Sequence, residues 1–265
     1  MFLAVCATVK NEELYIEEWL EHHLLHGVEH FYIFDNDSTD DTRKKLALYE
    51  KEGLVTVKEI HGLRKQKIAY DMAIKWNMIE SKWVAFIDVD EFLFSPLNFP
   101  IPQVIKNYKG ASIITAHWVL YGSSGLNKYD DRLVTERFIF RASRVDQHCK
   151  SICLVDDLKS TGNNVHTFRT RGIIVNEQGK VLDKEYALGS GATTDFIRIN
   201  HYHTKSREEA FIRWNMPRAD TGGNRANEEH FIAHDLNEFT DNSLARYAPK
   251  IRKSIEERQK QWKAA

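Results

Sequence analysis

Cysteine is scarce in this chain, with three residues among 265. An odd number of cysteines, together with the lack of a secretory leader, predicts a reducing compartment without a disulfide framework. Cys6 lies within an apolar run and is predicted to be a small core residue. A zinc site at Cys149 and Cys153 is disfavoured, because no second Cys/His pair follows at zinc-site spacing.

An excess of charge of one sign and long hydrophobic runs are also lacking. The formal net charge is -1, so nothing indicates a nucleic-acid partner, which usually contacts a strongly basic domain. The apolar residues 1–9 are too few to span a bilayer and carry no basic leader. We therefore expect a cytoplasmic protein that binds a small charged ligand at a local site.

Two phosphate-binding fingerprints are missing after the predicted strands: Gly-x-Gly-x-x-Gly and Gly-x-x-x-x-Gly-Lys-Ser/Thr. The sequence does contain strand-like runs that begin near residues 2, 31, 54 and 83, with helical segments between them. This βαβαβαβ pattern predicts an α/β fold with a Rossmann-like, mostly parallel central sheet flanked by helices. In the helix after the third strand, one face is predicted to be core. Its residues are Ile68, Met72, Trp76 and Ile79.

The most informative stretch is residues 83–92, where a strand-like run leads directly into Asp88, Asp90 and Glu91. Carboxylates at the end of a buried strand are costly to desolvate unless a cation neutralises them. Oxygen ligands at this density suit Mg²⁺ or Mn²⁺, which leave coordination positions for substrate phosphates. Because ligands bind at the carboxyl ends of parallel strands, we predict that a metal holds phosphates at this edge. A solvated turn is the alternative.

The pattern beyond residue 110 is less regular. Residues 113–119 are predicted to form a strand that leads into the loop 121–125. The small side chains of this loop allow its backbone to approach a ligand closely. Residues 134–142 are ambiguous between helix and strand. Short strands are further predicted at residues 152–155, 165–168, 172–175 and 193–202, the last of which ends in a candidate metal ligand, His201.

Two helices are predicted near the end of the chain. Ser206 and Glu209 form a capping box at the start of the first, and Pro249 is compatible with the first turn of the second, within a helical C-terminal tail. Basic residues outnumber acidic ones in this tail: Lys250, Arg252, Lys253, Arg258, Lys260 and Lys263. A solvated face is the favoured interpretation, and peripheral contact with an anionic membrane is the alternative.

Five motifs occur in a characteristic order: Val9-Lys10-Asn11-Glu12, Asp35-Asn36-Asp37-Ser38, Phe86-Ile87-Asp88-Val89-Asp90-Glu91-Phe92, Tyr121-Gly122-Ser123-Ser124-Gly125, and Asn200-His201-Tyr202 with Lys205-Ser206. In this order the chain resembles, over roughly residues 2–215, glycosyltransferases of the family 92 type and their family 2-like relatives. The resemblance implies a single GT-A-type domain over residues 1–240, with a nucleotide-binding half up to about residue 95, an acceptor half after it, and a tail from 241. It also implies inversion at the sugar carbon.

The same resemblance implies roles for individual residues. Asp90 would bind the metal directly, with Asp88 reaching the metal or the ribose and His201 completing the site. The nucleotide would contact Lys10, Glu12, Asp35, Asn36, Gln66, Tyr70, Asp71 and Asp88. The sugar or the acceptor would contact Trp118, Gly122, Ser123, Ser124, Gly125, Lys150 and His166. Glu209 and Asp157 are the candidate general bases.

The predicted function is therefore metal-dependent, inverting transfer of a sugar from a nucleotide diphosphate-sugar to a glycan or lipid-linked acceptor in polysaccharide biosynthesis. Resemblance favours a UDP-linked donor, suggests galactose, and implies Mn²⁺ or Mg²⁺ as cofactor. One alternative is a non-catalytic module that binds a nucleotide sugar or a glycan. A glycoside hydrolase, which also needs two carboxylates, is disfavoured by the crossover pattern and by the absence of exposed aromatic platforms near the acidic pair. The acceptor would lie at the inner face of the membrane.

Overall fold

The computed structural model of the protein describes residues 1–76, 78–183, 192–216 and 227–264, with side chains up to Gln261. Strands and helices alternate through the first part of the chain, as the sequence predicts. These elements are β1 (Leu3–Val9), α1 (Ile16–Leu25), β2 (His30–Asp35), α2 (Thr42–Lys51), β3 (Val55–Glu59), α3 (Gln66–Lys75), β4 (Trp83–Phe86) and β5 (Glu91–Phe94).

Shorter elements dominate after β5. They are α4 (Ile101–Ile105), β6 (Ala111–Leu120), α5 (Val134–Arg137), β7 (Phe140–Arg141), β8 (Cys149–Leu154), β9 (Leu158–Thr161), β10 (Phe168–Thr170), β11 (Ile173–Asn176), β12 (Arg198–His201), α6 (Arg207–Trp214), α7 (Glu228–His234), β13 (Phe239–Thr240) and α8 (Ala248–Ala264). The ambiguous segment 134–142 thus divides into a short helix and a short strand, whereas the strand predicted at 165–168 begins only at Phe168.

The central sheet has the strand order β3-β2-β1-β4-β8-β6-β12-β5, and β11 also pairs with β6. All pairs among β1 to β4 are parallel, as are β6 with β11 and β6 with β12. β8 runs antiparallel to both of its neighbours, and β5 runs antiparallel to β12. The predicted α/β class with a mostly parallel sheet is confirmed, while the proposed division at residue 95 remains a prediction.

The core lies on both faces of this sheet, because the side chains of β1 alternate between them. Leu3, Val5 and Ala7 face the apolar cluster that contains α1 and α2. Ala4 and Cys6 face the smaller cluster that contains α3. The prediction that Cys6 is a core residue is confirmed, and the described residues contain no disulfide.

The predicted core face of the helix after β3 is wrong at Ile68 and Trp76, whereas Ile79 is buried and Met72 is half-buried against the same apolar cluster. Ile68 and Trp76 are 47% and 61% exposed, and Ala69, Tyr70 and Ala73 are fully buried instead. The two alanines allow α3 to lie close to β1 and β9, with which it makes its main contacts, so larger residues at those positions would hold the helix off the sheet. Ile68 and Trp76 are therefore left on the solvent side.

Two predictions about the last helices are confirmed. Ser206 caps α6, and its hydroxyl exchanges hydrogen bonds with Glu209 in a capping box. Pro249 lies in the first turn of α8, which packs on α1 and buries Ala248 and Ile251. Across the described ranges of the chain, no helix combines the length and the apolar character needed to cross a membrane.

Candidate active site

A cleft of ≈ 420 Å³ opens at the carboxyl ends of β1, β2 and β4. Lys10 and Glu12 follow β1, Asn36 follows β2, and Asp88 and Asp90 follow β4. All five residues line the cleft. The structure thus brings the polar strand ends together at one edge of the sheet, as parallel pairing requires.

The two aspartates of the Asp-x-Asp pair have different surroundings. The side chain of Asp88 is 30% exposed, and Lys150 Nζ lies 2.7 Å from its Oδ2. Gln66 Nε2 donates to Asp88 Oδ1 at 2.5 Å. Lys150 itself is buried and does not line the cleft, so it neutralises Asp88 from inside the protein.

Asp90 is almost fully buried, yet it is surrounded by positive charge. Arg213 Nη2 lies 3.1 Å from Asp90 Oδ2, and His201 Nε2 lies 3.5 Å from the same oxygen. Burial alone raises the pKa of Asp90, but Arg213 and His201 outweigh burial and hold that pKa well below its ordinary value. Asp90 is therefore ionised and presents a carboxylate to the cleft.

The third carboxylate of the acidic stretch does not reach the cleft. Glu91 begins β5 and is fully buried, where its Oε2 accepts a hydrogen bond from the backbone N–H of Asp88 at 2.9 Å. Burial raises its pKa well above the ordinary value, although the charge of Lys150 lowers it. Glu91 therefore shapes the turn 88–90 rather than adding to the charge of the cleft.

The residues around Asp90 have the donor set of a divalent-metal site. Ligand atoms of Asp90, His201 and His203 all lie within 4.8 Å of one another, as do those of Asp88, Asp90 and Glu91. Carboxylate oxygens suit Mg²⁺ and Mn²⁺, and added imidazole suits Mn²⁺ better than Mg²⁺. The ring Nδ1 of His201 is buried without a hydrogen-bond partner among the described residues. The side chains present therefore fit the predicted metal. Arg213 would have to release the carboxylate of Asp90 before that carboxylate could bind the metal.

Only part of the predicted nucleotide-binding set lines the cleft. Burial raises the pKa of Glu12, although Arg213 and Lys205 lower it, and its Oε2 has no partner within the described part of the chain. Asn36 Nδ2 donates to the backbone oxygens of Ile60 and Gly62 at 3.1 and 2.9 Å. These bonds fix the side chain of Asn36 at the cleft wall.

Three predicted nucleotide contacts lie elsewhere. Asp35 is buried at the end of β2, where its Oδ1 accepts a hydrogen bond from the Ser38 backbone at 3.2 Å. Tyr70 is fully buried beneath Gln66. Asp71 Oδ1 binds the backbone N–H and the hydroxyl of Thr161 at 2.8 and 2.6 Å, which ties α3 to β9. Each carboxyl or phenol is used to hold the fold, so none of the three lines the cleft.

Trp118 and His166, predicted on the acceptor side, do line the cleft, together with Asp146 and His148. The rings of Trp118 and His148 stack with centroids 5.2 Å apart at 21°, and those of Trp118 and His166 meet edge to face at 5.3 Å. His148 Nδ1 lies 2.7 Å from Asp146 Oδ1. A half-buried aromatic ring, that of Trp118, therefore lines the cleft that contains the acidic pair, while the crossover pattern still disfavours a hydrolase.

The loop with small side chains does not approach the cleft. The backbone N–H groups of Ser123 and Ser124 donate to Asp235 and Asn237 at 2.6 and 2.9 Å. A side chain at Gly122 would collide with Asn237, because its Cβ would lie 2.5 Å from Oδ1. Gly122 is thus small because another loop packs on it, whereas Gly125 has open space around it and a left-handed backbone with φ of +73°. None of the predicted sugar or acceptor contacts at Gly122, Ser123, Ser124 and Gly125 lines the cleft.

Both predicted general bases lie outside the cleft. Arg137 Nη1 and Nη2 lie 2.8 and 2.9 Å from the two carboxylate oxygens of Glu209, and Tyr15 also donates to it. Burial alone raises the pKa of Glu209, but hydrogen bonds from Arg137 and Ser206 outweigh burial and lower that pKa. Asp157 follows β8 and accepts a hydrogen bond from Ser112. Neither carboxylate can reach a ligand in the cleft.

The structure adds cleft residues that sequence reasoning missed: Asp146, His148, His203, Arg213, Trp214 and His234. Arg213 contacts both Glu12 and Asp90, at 3.2 and 3.1 Å. The one available signal was the capping box, which places Arg213 near the end of a helix that starts soon after His201. Nothing local in the sequence indicates that this helix brings Arg213 to Glu12 and Asp90.

Comparison with known proteins supports a family assignment. Residues 2–188 match the sequence model of Glycosyltransferase family 92. The chain is 30% identical over 207 residues to the family 92 protein Os08g0121900 of Oryza sativa subsp. japonica, a match that covers 76% of this chain and 33% of that protein. For At1g27200 of Arabidopsis thaliana the identity is 28% over 182 residues, covering 64% and 32%. The chain thus spans about a third of the length of the curated relatives it matches.

Solved structures show more distant similarity. Staphylococcus aureus TarS 1-349 in complex with UDP-GlcNAc has a TM-score of 0.42 and 16% identity, over 58% of this chain and 46% of that chain. Glucosyl-3-phosphoglycerate synthase from Mycobacterium tuberculosis, in complex with Mg²⁺ and UDP, has a TM-score of 0.31 and 21% identity, over 44% and 43%. The family match and the sheet topology confirm the predicted GT-A-type α/β fold.

Proposed function

Because the chain belongs to glycosyltransferase family 92, we propose that it transfers a sugar, with inversion, from a nucleotide diphosphate-sugar to an acceptor hydroxyl. The observation that carries the proposal is the pair Asp88 and Asp90 at the end of β4, inside a cleft that is also lined by polar side chains and by Trp118. A UDP-linked donor, with galactose as the sugar, and a glycan or lipid-linked acceptor are the substrates we propose.

Asp90 and His201 would hold Mn²⁺ or Mg²⁺, with Asp88 beside them. The bound metal would stabilise the negative charge that grows on the leaving diphosphate. Arg213 is well placed to assist, because its side chain is 35% exposed and its guanidinium lies beside Asp90. The guanidinium can pair with a phosphate once it leaves that carboxylate. Glu12, Asn36 and Gln66, which line the same cleft, would orient the nucleoside.

We assign the general base to His148 in place of Glu209 and Asp157. Asp146 Oδ1 lies 2.7 Å from the ring Nδ1 of His148, which orients the imidazole and leaves Nε2 to accept the proton of an acceptor hydroxyl. As the hydroxyl oxygen bonds to the sugar carbon, the bond from that carbon to the diphosphate breaks on the opposite face. Trp118, stacked on His148, would support the face of the acceptor sugar.

The deciding experiment measures release of nucleoside diphosphate from a panel of nucleotide sugars, with Mn²⁺, with Mg²⁺ and after chelation. We expect turnover with one donor that requires metal and falls by at least ~10²-fold in Asp90→Asn. Asp41→Asn is the matched control, since Asp41 is exposed and pairs with Lys44 outside the cleft. No turnover of any donor with metal, but unchanged donor binding in Asp90→Asn, would instead indicate a binding module.

The location of the protein within the cell stays a prediction. Several basic side chains of α8 are already paired: Arg252 with Glu136, Arg258 with Glu21 and Glu52, and Lys253 with Glu257. Lys263 lies outside the described side chains. Lys250 and Lys260 are exposed, and we propose that these two make any contact with an anionic membrane, from which a cytoplasmic enzyme would reach a lipid-linked acceptor.

A further inference from the structure

Three histidines form a cluster at the cleft, where His203 and His234 are lining residues. His203 follows β12, and His230 and His234 lie one turn apart on α7. Ligand nitrogens of all three lie within 4.8 Å of one another. The ring centroids of His230 and His234 are 4.0 Å apart, and His203 lies 5.4 Å from His234.

The spacing within α7 is that of a metal-binding helix, because residues four apart project from the same face. His234 Nδ1 lies 2.8 Å from the backbone oxygen of His230. A carbonyl oxygen can only accept, so Nδ1 carries the proton and Nε2 keeps its lone pair. Such a bond orients the ring and increases the basicity of the ligand nitrogen in metal sites.

The donor set selects the class of metal. Three imidazoles suit Zn²⁺, Co²⁺ or Ni²⁺ and offer none of the oxygen ligands that Mg²⁺ prefers. Around tetrahedral Zn²⁺, with bonds of about 2.0–2.1 Å, ligand nitrogens are roughly 3.3 Å apart, so small side-chain rotations close the site. Trp214, whose ring lies 4.5 Å from His230 and 5.6 Å from His203, shields one side from water.

We propose that His203, His230 and His234 bind a transition metal of the Zn²⁺ class, at a site distinct from the Asp88–Asp90 pair. The site joins α7 to the end of β12, and His203 and His234 expose it to the cleft. His203 also belongs to the group around Asp90 and His201. Zn²⁺ bound by the three histidines therefore withdraws His203 from Asp90, and the two metal sites are coupled through one side chain.

The test uses protein stripped with a chelator and titrated with Zn²⁺ in a calorimeter and with Co²⁺ in a spectrophotometer. We expect one Zn²⁺ per chain and a visible Co²⁺ spectrum of nitrogen ligation. Dissociation constants should increase by at least roughly tenfold in His230→Asn and His234→Asn. His61→Asn is the matched control, since His61 is exposed and pairs with Asp37 outside the cleft. Thermal melting shows whether each variant is folded.

Asp90→Asn separates the two sites. We expect it to keep the Zn²⁺ affinity and the Co²⁺ spectrum of the parent protein. The proposal is overturned if the parent shows no such spectrum, if His234→Asn binds Zn²⁺ as tightly as the parent, or if Asp90→Asn alone abolishes binding. The last result would assign the histidines to the Asp90 site, and unchanged binding in His234→Asn would leave them as a packed aromatic cluster.

Discussion

Replacing Arg137 by Met should destabilise the protein strongly, because it leaves a buried carboxylate without its cation. The side chains of Arg137 and Glu209 are 1% and 3% exposed and share two hydrogen bonds of 2.8 and 2.9 Å. Breaking a buried pair from one side costs about 3–5 kcal/mol. Tyr15 and Ser206 still donate hydrogen bonds to Glu209 in the variant. We therefore expect the free energy of unfolding to fall by about 3 kcal/mol, the lower end of that range.

The pH dependence has a defined sign. The pKa of Glu209 is lowered in the folded protein, so its ion pair adds stability above the unfolded pKa, and that contribution is lost as the pH falls through the folded value. The difference between Arg137→Met and the parent should therefore be largest near neutral pH. It should shrink below the ordinary carboxyl pKa of 4.5.

Urea unfolding followed by circular dichroism measures these differences, and a double-mutant cycle with Glu209→Gln isolates the pair. Arg207→Met is the matched control, on the helix that carries Glu209, because Arg207 and Glu228 are 49% and 50% exposed and such pairs contribute at most ~1 kcal/mol. A cost in Arg137→Met no larger than in this control would refute the reasoning. So would a loss of turnover of ~10²-fold or more in Glu209→Gln under conditions where it stays folded, since that is the signature of a general base.

Two further predictions concern the cleft and the tail. His148→Gln should lower the turnover number by roughly 10²-fold or more, which is the size of a general-base contribution. The dissociation constant of the donor should stay unchanged. Weakened donor binding with normal turnover would contradict the assignment of the base. Reversing the charge at Lys250 and Lys260 should reduce co-sedimentation with anionic vesicles at low salt. Each lysine near such a surface contributes ~1 kcal/mol to the free energy of binding. Equal pelleting of variant and parent would show that α8 makes no contact with the membrane.

Several features were readable from the sequence because they depend on neighbours along the chain. Short apolar runs separated by helical segments identified β1 to β4, and the Ser206–Glu209 capping box located the start of α6. The parallel order of these strands followed from the helices between them. The sequence alone therefore places Asp88 and Asp90 at the edge of the sheet, beside Glu12 and Asn36.

Tertiary structure decided which polar side chains are left for a ligand. In the sequence, nothing marked Asp71 and Glu209 as unavailable to a ligand. In the fold, Thr161 binds Asp71 and Arg137 binds Glu209. Arg213 reaches Asp90 from a helix more than a hundred residues further along the chain. Periodicity reports which face of an element is buried but not which distant element packs on it. Only the packing therefore determines whether a buried charge is neutralised by the protein or remains for a substrate.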